Sequence, residues 1–334
     1  MRFTNEFGSN PLAIGAARIA LSADKSSIQA ETDRSLNFSG ENSAQIPAGS
    51  ILLSDPVELN VPPLSDVAVS LYLPCQHLEH STFHDEALQV NYLGTGNQTS
   101  AQTVHNSTEL DSWYFLDGVD VEESGGSPGA VVALGDSLTE GAYSGVSKNH
   151  RWTDFLAKRL QENKITAQLG VLNEGIGGNR LLHDGYGPSA LARFNRDVLA
   201  QSDLRFLIVL EGTNDIGHLV KPPVAKVTAH ELETALAQIA TRAHAAGIKV
   251  YGATMLPYFG ASYYSEDGEK IREEVNAWIR EGSAFDAVID FDKAIRDPQD
   301  VKRILPGYDH GDHLHLNEQG YKAMADAIDL HLFK

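Results

Sequence analysis

Two short stretches hold side chains that can do covalent chemistry together. Ser137 stands in Gly135-Asp136-Ser137-Leu138-Thr139-Glu140-Gly141, and His315 in Gly311-Asp312-His313-Leu314-His315-Leu316-Asn317. A serine hydroxyl is a weak nucleophile until a base takes its proton. His315 is the right type for that base. Asp312, three residues earlier, can fold back onto the imidazole and fix its tautomer. The chain order Ser, Asp, His is workable, because geometry rather than order defines such a triad. A tetrahedral intermediate also needs donors for its oxyanion, each worth about 3 kcal/mol of barrier. Gly178, in Asn173-Glu174-Gly175-Ile176-Gly177-Gly178-Asn179-Arg180, offers a backbone N–H with no side chain in the way. Asn214, in Glu211-Gly212-Thr213-Asn214-Asp215, offers its amide, and the N–H of Ser137 is the third candidate. Together these parts suit acyl transfer.

Each residue has a plainer reading. Ser137 alone is a turn serine capping a helix. His315 alone is a histidine at a helix start. The combination of blocks favours nucleophile and base. Gly125-Gly126-Ser127-Pro128-Gly129 matches the G-x-S-x-G elbow letter for letter. That elbow needs a strand before it and a helix after it. Here a polar segment precedes, a strand follows, and Pro128 lacks the N–H an oxyanion would use. Ser127 is therefore set aside. His310, Asp312, His313 and His315 lie close enough in sequence to suggest zinc. No second ligand cluster exists, so no metal is expected. Asp136 and Asp215 read equally as groups that hold loops or as groups with a direct role. Asn179 and Arg180 follow Gly178 and can reach a substrate, although for Arg180 a surface cation is the commoner case. Tyr258 and Phe259 follow a strand and either wall a pocket or pack in the core.

These blocks need elements to position them. From Ala130 onward, strands and helices alternate. Strands are expected at Ala130–Leu134, Ala167–Leu172, Leu204–Leu210, Lys249–Met255 and Ala287–Phe291. Helical spacing of apolar residues marks Trp152–Glu162, Ala229–Ala245, Ile271–Arg280 and Glu318–Leu330. Such alternation predicts a parallel sheet covered on both faces. Ligands then bind outside the carboxyl ends of the strands, where three of the four blocks fall. Residues 1–122 read differently. Short strands such as Ala17–Leu21, Ser50–Leu53, Val67–Leu73 and Ala87–Tyr92 alternate with turn residues. That pattern predicts an all-β, sandwich-like or jelly-roll-like domain. The polar, Gly/Pro-rich stretch 123–129 reads as a linker.

The four blocks also resemble the GDSL family of esterases and lipases, in its SGNH hydrolase form. Gly135-Asp136-Ser137-Leu138 is similar to the first family block. Asn173-x-Gly175-x-x-Gly178 is similar to the second, whose last glycine is an oxyanion donor. Gly212-Thr213-Asn214-Asp215 is similar to the third, which carries the oxyanion asparagine, and Asp312-x-x-His315 to the fifth, which carries orienter and base. The resemblance covers 130–334. It implies a flavodoxin-like α/β/α sandwich, no metal and no organic cofactor. Leu316 departs from relatives that have proline after the histidine, which bears on loop stiffness. Relatives with a strand-rich domain ahead of the catalytic one often act on carbohydrate esters.

Composition narrows the partners. The chain has 334 residues, 42% hydrophobic and 21% charged, with 45 acidic and 26 basic residues for a net charge of −19. Nucleic acid and anionic membrane surfaces are poor partners for that charge, and a neutral ester is easier to hold. No apolar run approaches the ~18 residues of a membrane helix, and the longest apolar stretch, Phe206–Leu210, suits a strand. Met1-Arg2-Phe3-Thr4-Asn5-Glu6 does not open a signal peptide. A soluble protein is expected, cytoplasmic by default and secreted if a leader has been removed. The single cysteine, Cys75, excludes an internal disulfide, and after Leu71-Tyr72-Leu73-Pro74 it reads as core filler. Asn37-Phe38-Ser39, Asn97-Gln98-Thr99 and Asn106-Ser107-Thr108 match the glycosylation sequon, which matters only in a eukaryotic secretory setting. The leading expectation is hydrolysis of short-chain, acetyl-type esters through a Ser137 acyl-enzyme. One alternative is a carbohydrate O-acetyl esterase whose β domain positions the glycan. A non-enzyme alternative is a glycan-binding module joined to an inert hydrolase-like domain. Intact Ser137, Asp312 and His315 argue against that last reading.

Overall fold

The structure, a computed structural model, describes residues 1–122, 129–217 and 227–334. Ser127 and most of the segment expected as a linker lie outside the described residues. Two compact units are present, Met1–Glu122 and Glu123–Lys334. Among the described residues no helix is long and apolar enough to cross a membrane.

The first unit is antiparallel and rich in short strands. Its longest strand, Ala16–Asp24, pairs with Val67–Tyr72, Arg34–Leu36 and Ser27–Ile28. Arg2–Thr4 pairs with Ile51–Leu53 on one side and Leu116–Gly118 on the other. Phe3, Leu12, Ile14, Ala17, Ile19, Leu36, Phe38, Ile46 and Phe115 form its core. Two expectations fail here. The strand expected at Ala87–Tyr92 is confined to Asn91–Leu93. Leu88 has φ +52, a left-handed conformation that interrupts an extended run. Cys75 is exposed rather than core filler, because the strand ends at Tyr72 and Pro74 carries the chain into a bend.

The second unit is a three-layer α/β/α sandwich. Its five parallel strands are β1 (Gly129–Gly135), β2 (Leu169–Gly175), β3 (Leu204–Leu210), β4 (Lys249–Ala253) and β5 (Ala287–Ile289). They lie in the order 2-1-3-4-5, the doubly wound flavodoxin-like order. Successive residues of a strand face opposite sides. In β1, Val132 and Leu134 join one core cluster, while Val131 and Ala133 join the other. Both faces being covered, the strands read as apolar runs.

Helices α1 (Ser137–Glu140), α2 (Trp152–Gln161), α3 (Ala190–Phe194), α4 (Thr213–Gly217), α5 (Ala229–Ala245), α6 (Glu266–Glu281), α7 (Phe291–Ile295) and α8 (Glu318–Asp326) follow in chain order. α5 buries Leu232, Leu236 and Ile239 on one face, and α6 adds Val275 and Ile279. α2 buries Trp152, Leu156 and Leu160 on the other, beside Tyr321 and Met324 of α8. Thr228 and Glu231 close a capping box that starts α5. α6 begins five residues before the apolar spacing suggested. Ser265 caps it, and the acidic first turn Glu266, Asp267 and Glu269 suits the positive end of the helix dipole. β5 stops at Ile289, because the Asp290 side chain accepts from the Lys293 N–H and caps α7. α8 ends at Asp326, short of the expected Leu330.

Candidate active site

Ser137 follows the end of β1 and opens α1. Asp136 before it is the cap, with Oδ1 accepting from the Leu138 N–H at 2.9 Å. Gly175 at the end of β2 lies against α1 so closely that a Cβ there would come within 2.1 Å of the Glu140 nitrogen. Glycine at 175 is thus a packing requirement. Asn173 ties the same two elements: its Nδ2 donates to the Thr139 carbonyl at 2.6 Å and to Thr153 Oγ1 at 2.9 Å.

The loop before α8 supplies the other half. Ser137 Oγ lies 2.8 Å from His315 Nε2, and His315 Nδ1 lies 2.6 Å from Asp312 Oδ2. Asp312 Oδ1 accepts from the N–H groups of Leu314 (3.1 Å) and His315 (2.9 Å). Burial raises the Asp312 carboxyl, but the bonds from His315 and Leu314 outweigh it and hold the group below its ordinary value. An ionised Asp312 places the imidazole proton on Nδ1 and leaves Nε2 free to accept from Ser137.

Leu316 anchors this loop. Its side chain is fully buried beside α8, and its backbone forms an isolated antiparallel bridge with Asp309. Asp309 is a loop organiser the sequence reading missed. Its Oδ1 accepts from Gly311 N–H at 2.7 Å and from His313 N–H at 3.1 Å, and its Oδ2 lies 2.6 Å from His313 Nδ1. His313 is held at φ +63. His310 instead stacks on Tyr143, ring centroids 3.8 Å apart, and Tyr143 meets His315 edge-on at 5.3 Å. His310 thus packs on Tyr143, His313 pairs with Asp309, and His315 pairs with Asp312. Among the described residues no three His, Cys, Asp or Glu side chains gather as a metal site.

The residues expected as oxyanion donors follow β2 and β3. Gly178 has φ +70, and a Cβ there would meet the Tyr186 ring at 2.6 Å. Asn214 lies in α4, just past β3. Its Nδ2 donates to the Asn179 carbonyl at 2.9 Å and makes a longer contact, 3.3 Å, with Asp136 Oδ2. Tyr263 O–H donates to Asn214 Oδ1 at 3.4 Å, a partner not foreseen from sequence. Asp215 accepts from the N–H groups of Leu181 (2.7 Å) and Leu182 (3.0 Å), which fastens the chain after Gly178. Burial raises the Asp215 carboxyl despite those bonds.

Of the residues that could reach or wall a pocket, Asn179 and Tyr258 are buried. Asn179 is buried, its Nδ2 donating to the carbonyls of Tyr186 (2.8 Å) and Pro188 (2.9 Å). It fastens the loop and does not face solvent. Tyr258 is likewise buried in the core cluster with Ile216 and Met255. Phe259 lies under the Arg303 guanidinium at 4.2 Å and against Tyr264. Instead, an open pocket of about 130 Å³ is lined by Gly178, Arg180, Gly185 and Tyr186. The apolar residue after a strand carries no signal in sequence that separates core from wall.

A family model described as GDSL-like lipase/acylhydrolase matches residues 133–323. Among solved structures, a GDSL-like lipase from Bacteroides thetaiotaomicron VPI-5482 is 21% identical, with 59% of this chain and 84% of that chain covered and a TM-score of 0.45. A carbohydrate acetylesterase from Sinorhizobium meliloti is 17% identical, with 60% and 95% covered and a TM-score of 0.46. No curated relative matches the chain.

Proposed function

The chain belongs to the GDSL-like lipase/acylhydrolase family, and on that premise we propose that it hydrolyses short-chain, acetyl-type carboxylic esters through an acyl-enzyme on Ser137. The observation that carries this reading is the continuous line from Asp312 Oδ2 to His315 (2.6 Å) to Ser137 Oγ (2.8 Å). His315 Nε2 takes the Ser137 proton as Oγ attacks the ester carbonyl. The oxyanion is held by the N–H groups of Ser137 and Gly178 and by the Asn214 amide. Neither of those backbone N–H groups has a hydrogen-bond partner among the described residues. His315 then protonates the leaving alcohol, and later takes a proton from water as water attacks the acyl-enzyme. Asp312 holds the imidazolium in place.

Gly178, Arg180, Gly185 and Tyr186 line a pocket of about 130 Å³, which offers a small group room beside the proposed oxyanion donor Gly178. Tyr143 and Tyr186 are exposed, one against His315 and one over Gly178. Two exposed rings there favour a ring-bearing alcohol, and so a carbohydrate O-acetyl ester as the second reading.

The test is turnover of p-nitrophenyl esters of rising acyl length by wild type and Ser137→Ala. Acetate is expected to be the best substrate and Ser137→Ala inactive but folded. Retained activity in Ser137→Ala, or palmitate above acetate, overturns the reading. Acetate release from an acetylated oligosaccharide tests the second reading.

A further inference from the structure

We infer that Arg193 is the positioning residue of this site: one buried guanidinium, through five contacts, ties the ends of three strands to the Gly178 loop. The inference rests on the hydrolase reading above.

Arg193 lies in the last turn of α3, and its side chain has no exposure. Its Nη2 donates to the Gly135 carbonyl at 2.9 Å, at the end of β1 and two residues before Ser137. Nη1 donates to the Glu174 carbonyl at 2.7 Å, near the end of β2, and to Asp197 Oδ2 at 3.0 Å. Nε donates to Asn179 Oδ1 at 3.1 Å, in the residue after Gly178. Nη2 also faces Glu211 Oε1 at 3.6 Å, just past β3. A guanidinium has five N–H donors in a rigid planar fork. Four contacts are hydrogen bonds and the fifth is an ion pair, so the whole fork is engaged.

These partners are the carriers of three of the four chemical blocks. Gly135 leads to Ser137, Asn179 follows Gly178, and Glu211 leads to Asn214. The Asn179 carbonyl also orients the Asn214 amide. One rigid group therefore sets the spacing between nucleophile and oxyanion donors without touching substrate. The anchor is itself braced: Asp197 lies one turn on, in the π-helical turn Asn195–Leu199, and also pairs with Arg196. Such π turns recur at functional sites. Glu211 Oε1 is buried with no hydrogen bond among the described residues; burial pushes this carboxyl upward and Arg193 opposes it, so deleting Arg193 alone also leaves a buried acid without its counter-charge.

The test compares wild type with Arg193→Lys, Arg193→Met and the double variant Arg193→Met/Glu211→Gln. The double variant removes that buried acid. Each is assayed on p-nitrophenyl acetate, melted by circular dichroism, and inhibited with phenylboronic acid. The boronate becomes tetrahedral on a serine and puts an oxygen in the oxyanion hole. Loss of one oxyanion donor costs about 10²–10³ in kcat. The double variant is therefore expected to fold, with kcat about 100-fold down, KM within about threefold, and the boronate Ki raised by a factor similar to the kcat loss. Arg193→Lys should fall between it and wild type. Recovery of kcat in the double variant, or an unmoved boronate Ki, overturns the inference. So does unfolding of all three variants, which makes Arg193 a stability residue only. A wild type that neither turns over ester nor binds boronate overturns the hydrolase reading itself.

Discussion

Nδ2 of Asn214 donates to Oδ2 of Asp136 at 3.3 Å, while its other hydrogen goes to the Asn179 carbonyl at 2.9 Å. This links the residue before the nucleophile to the proposed oxyanion asparagine, and both are buried. The bond to Asn179 fixes the amide plane. The longer contact leaves the second hydrogen the freer of the two to turn toward an oxyanion.

The Asp136 carboxyl makes stability depend on pH. Burial pushes it up to about 7; the Leu138 N–H opposes this, the Asp215 and Glu140 carboxylates add to it, and Arg193 opposes it. The unfolded carboxyl releases its proton near ~3.9. Between about 4 and 7 the folded chain then binds more protons than the unfolded one, so stability falls as pH rises and levels off above that window. Asp136→Asn retains Oδ1 to cap Leu138 and has no charge to bury. The melting temperature of wild type should drop from pH 5 to pH 8, and the variant should drop less. Parallel curves for the two proteins would remove Asp136 as the cause.

Asp312→Asn preserves size but not charge. An amide at 2.6 Å from His315 Nδ1 can present N–H, which forces the imidazole proton onto Nε2 and points it at Ser137. The wrong tautomer cost about 10⁴ in kcat in the serine protease where the equivalent change was made. A loss of about 10³–10⁴ in kcat is expected here, with KM little changed and an unaltered far-ultraviolet spectrum. Steady-state kinetics on p-nitrophenyl acetate decide it, and a loss below about tenfold would contradict the orienting role.

Gly178→Ala meets two obstacles. The backbone sits at φ +70, where an L side chain costs about 1–2 kcal/mol. The new Cβ would also lie 2.6 Å from the Tyr186 ring, which must swing away. Relieving either turns the Gly178 N–H off the oxyanion. Thermal denaturation should show a melting point about 2–8 °C lower, and kcat should fall about 100-fold if that donor is lost. A variant with wild-type kcat would exclude Gly178 as a donor.

Local chemistry was the legible part. Asp312 and His315 are three residues apart, so their contact needs only a tight loop. Ser137, Gly178 and Asn214 were findable because apolar strand runs end just before them. Arg193 was not findable. Of its partners only Asp197, one turn on, is local; the others lie at 135, 174, 179 and 211, and an arginine on a helix usually faces water. Tyr263 was missed for the same reason, its partner Asn214 lying 49 residues away; Asp309 was missed although its partners Gly311 and His313 are local, because an acidic residue in a polar loop is an ordinary type. Asn179 and Tyr258 show the converse. Asn179 reads as able to reach a substrate and Tyr258 as either pocket wall or core, yet both are buried, which only the folded chain decides.

Alternating apolar strands and amphipathic helices determined, from sequence alone, a parallel sheet with its chemistry at one end. That follows because side-chain periodicity is a local property, set by the geometry of each element. The tertiary structure decided what lies within bonding distance. Ser137 and His315 are 178 residues apart, and their 2.8 Å contact depends on the 2-1-3-4-5 strand order and on the burial of Leu316 beside α8. Periodicity specifies which face of an element is apolar. Which elements pack together, and so which loops converge, is settled by burying both faces of the sheet at once.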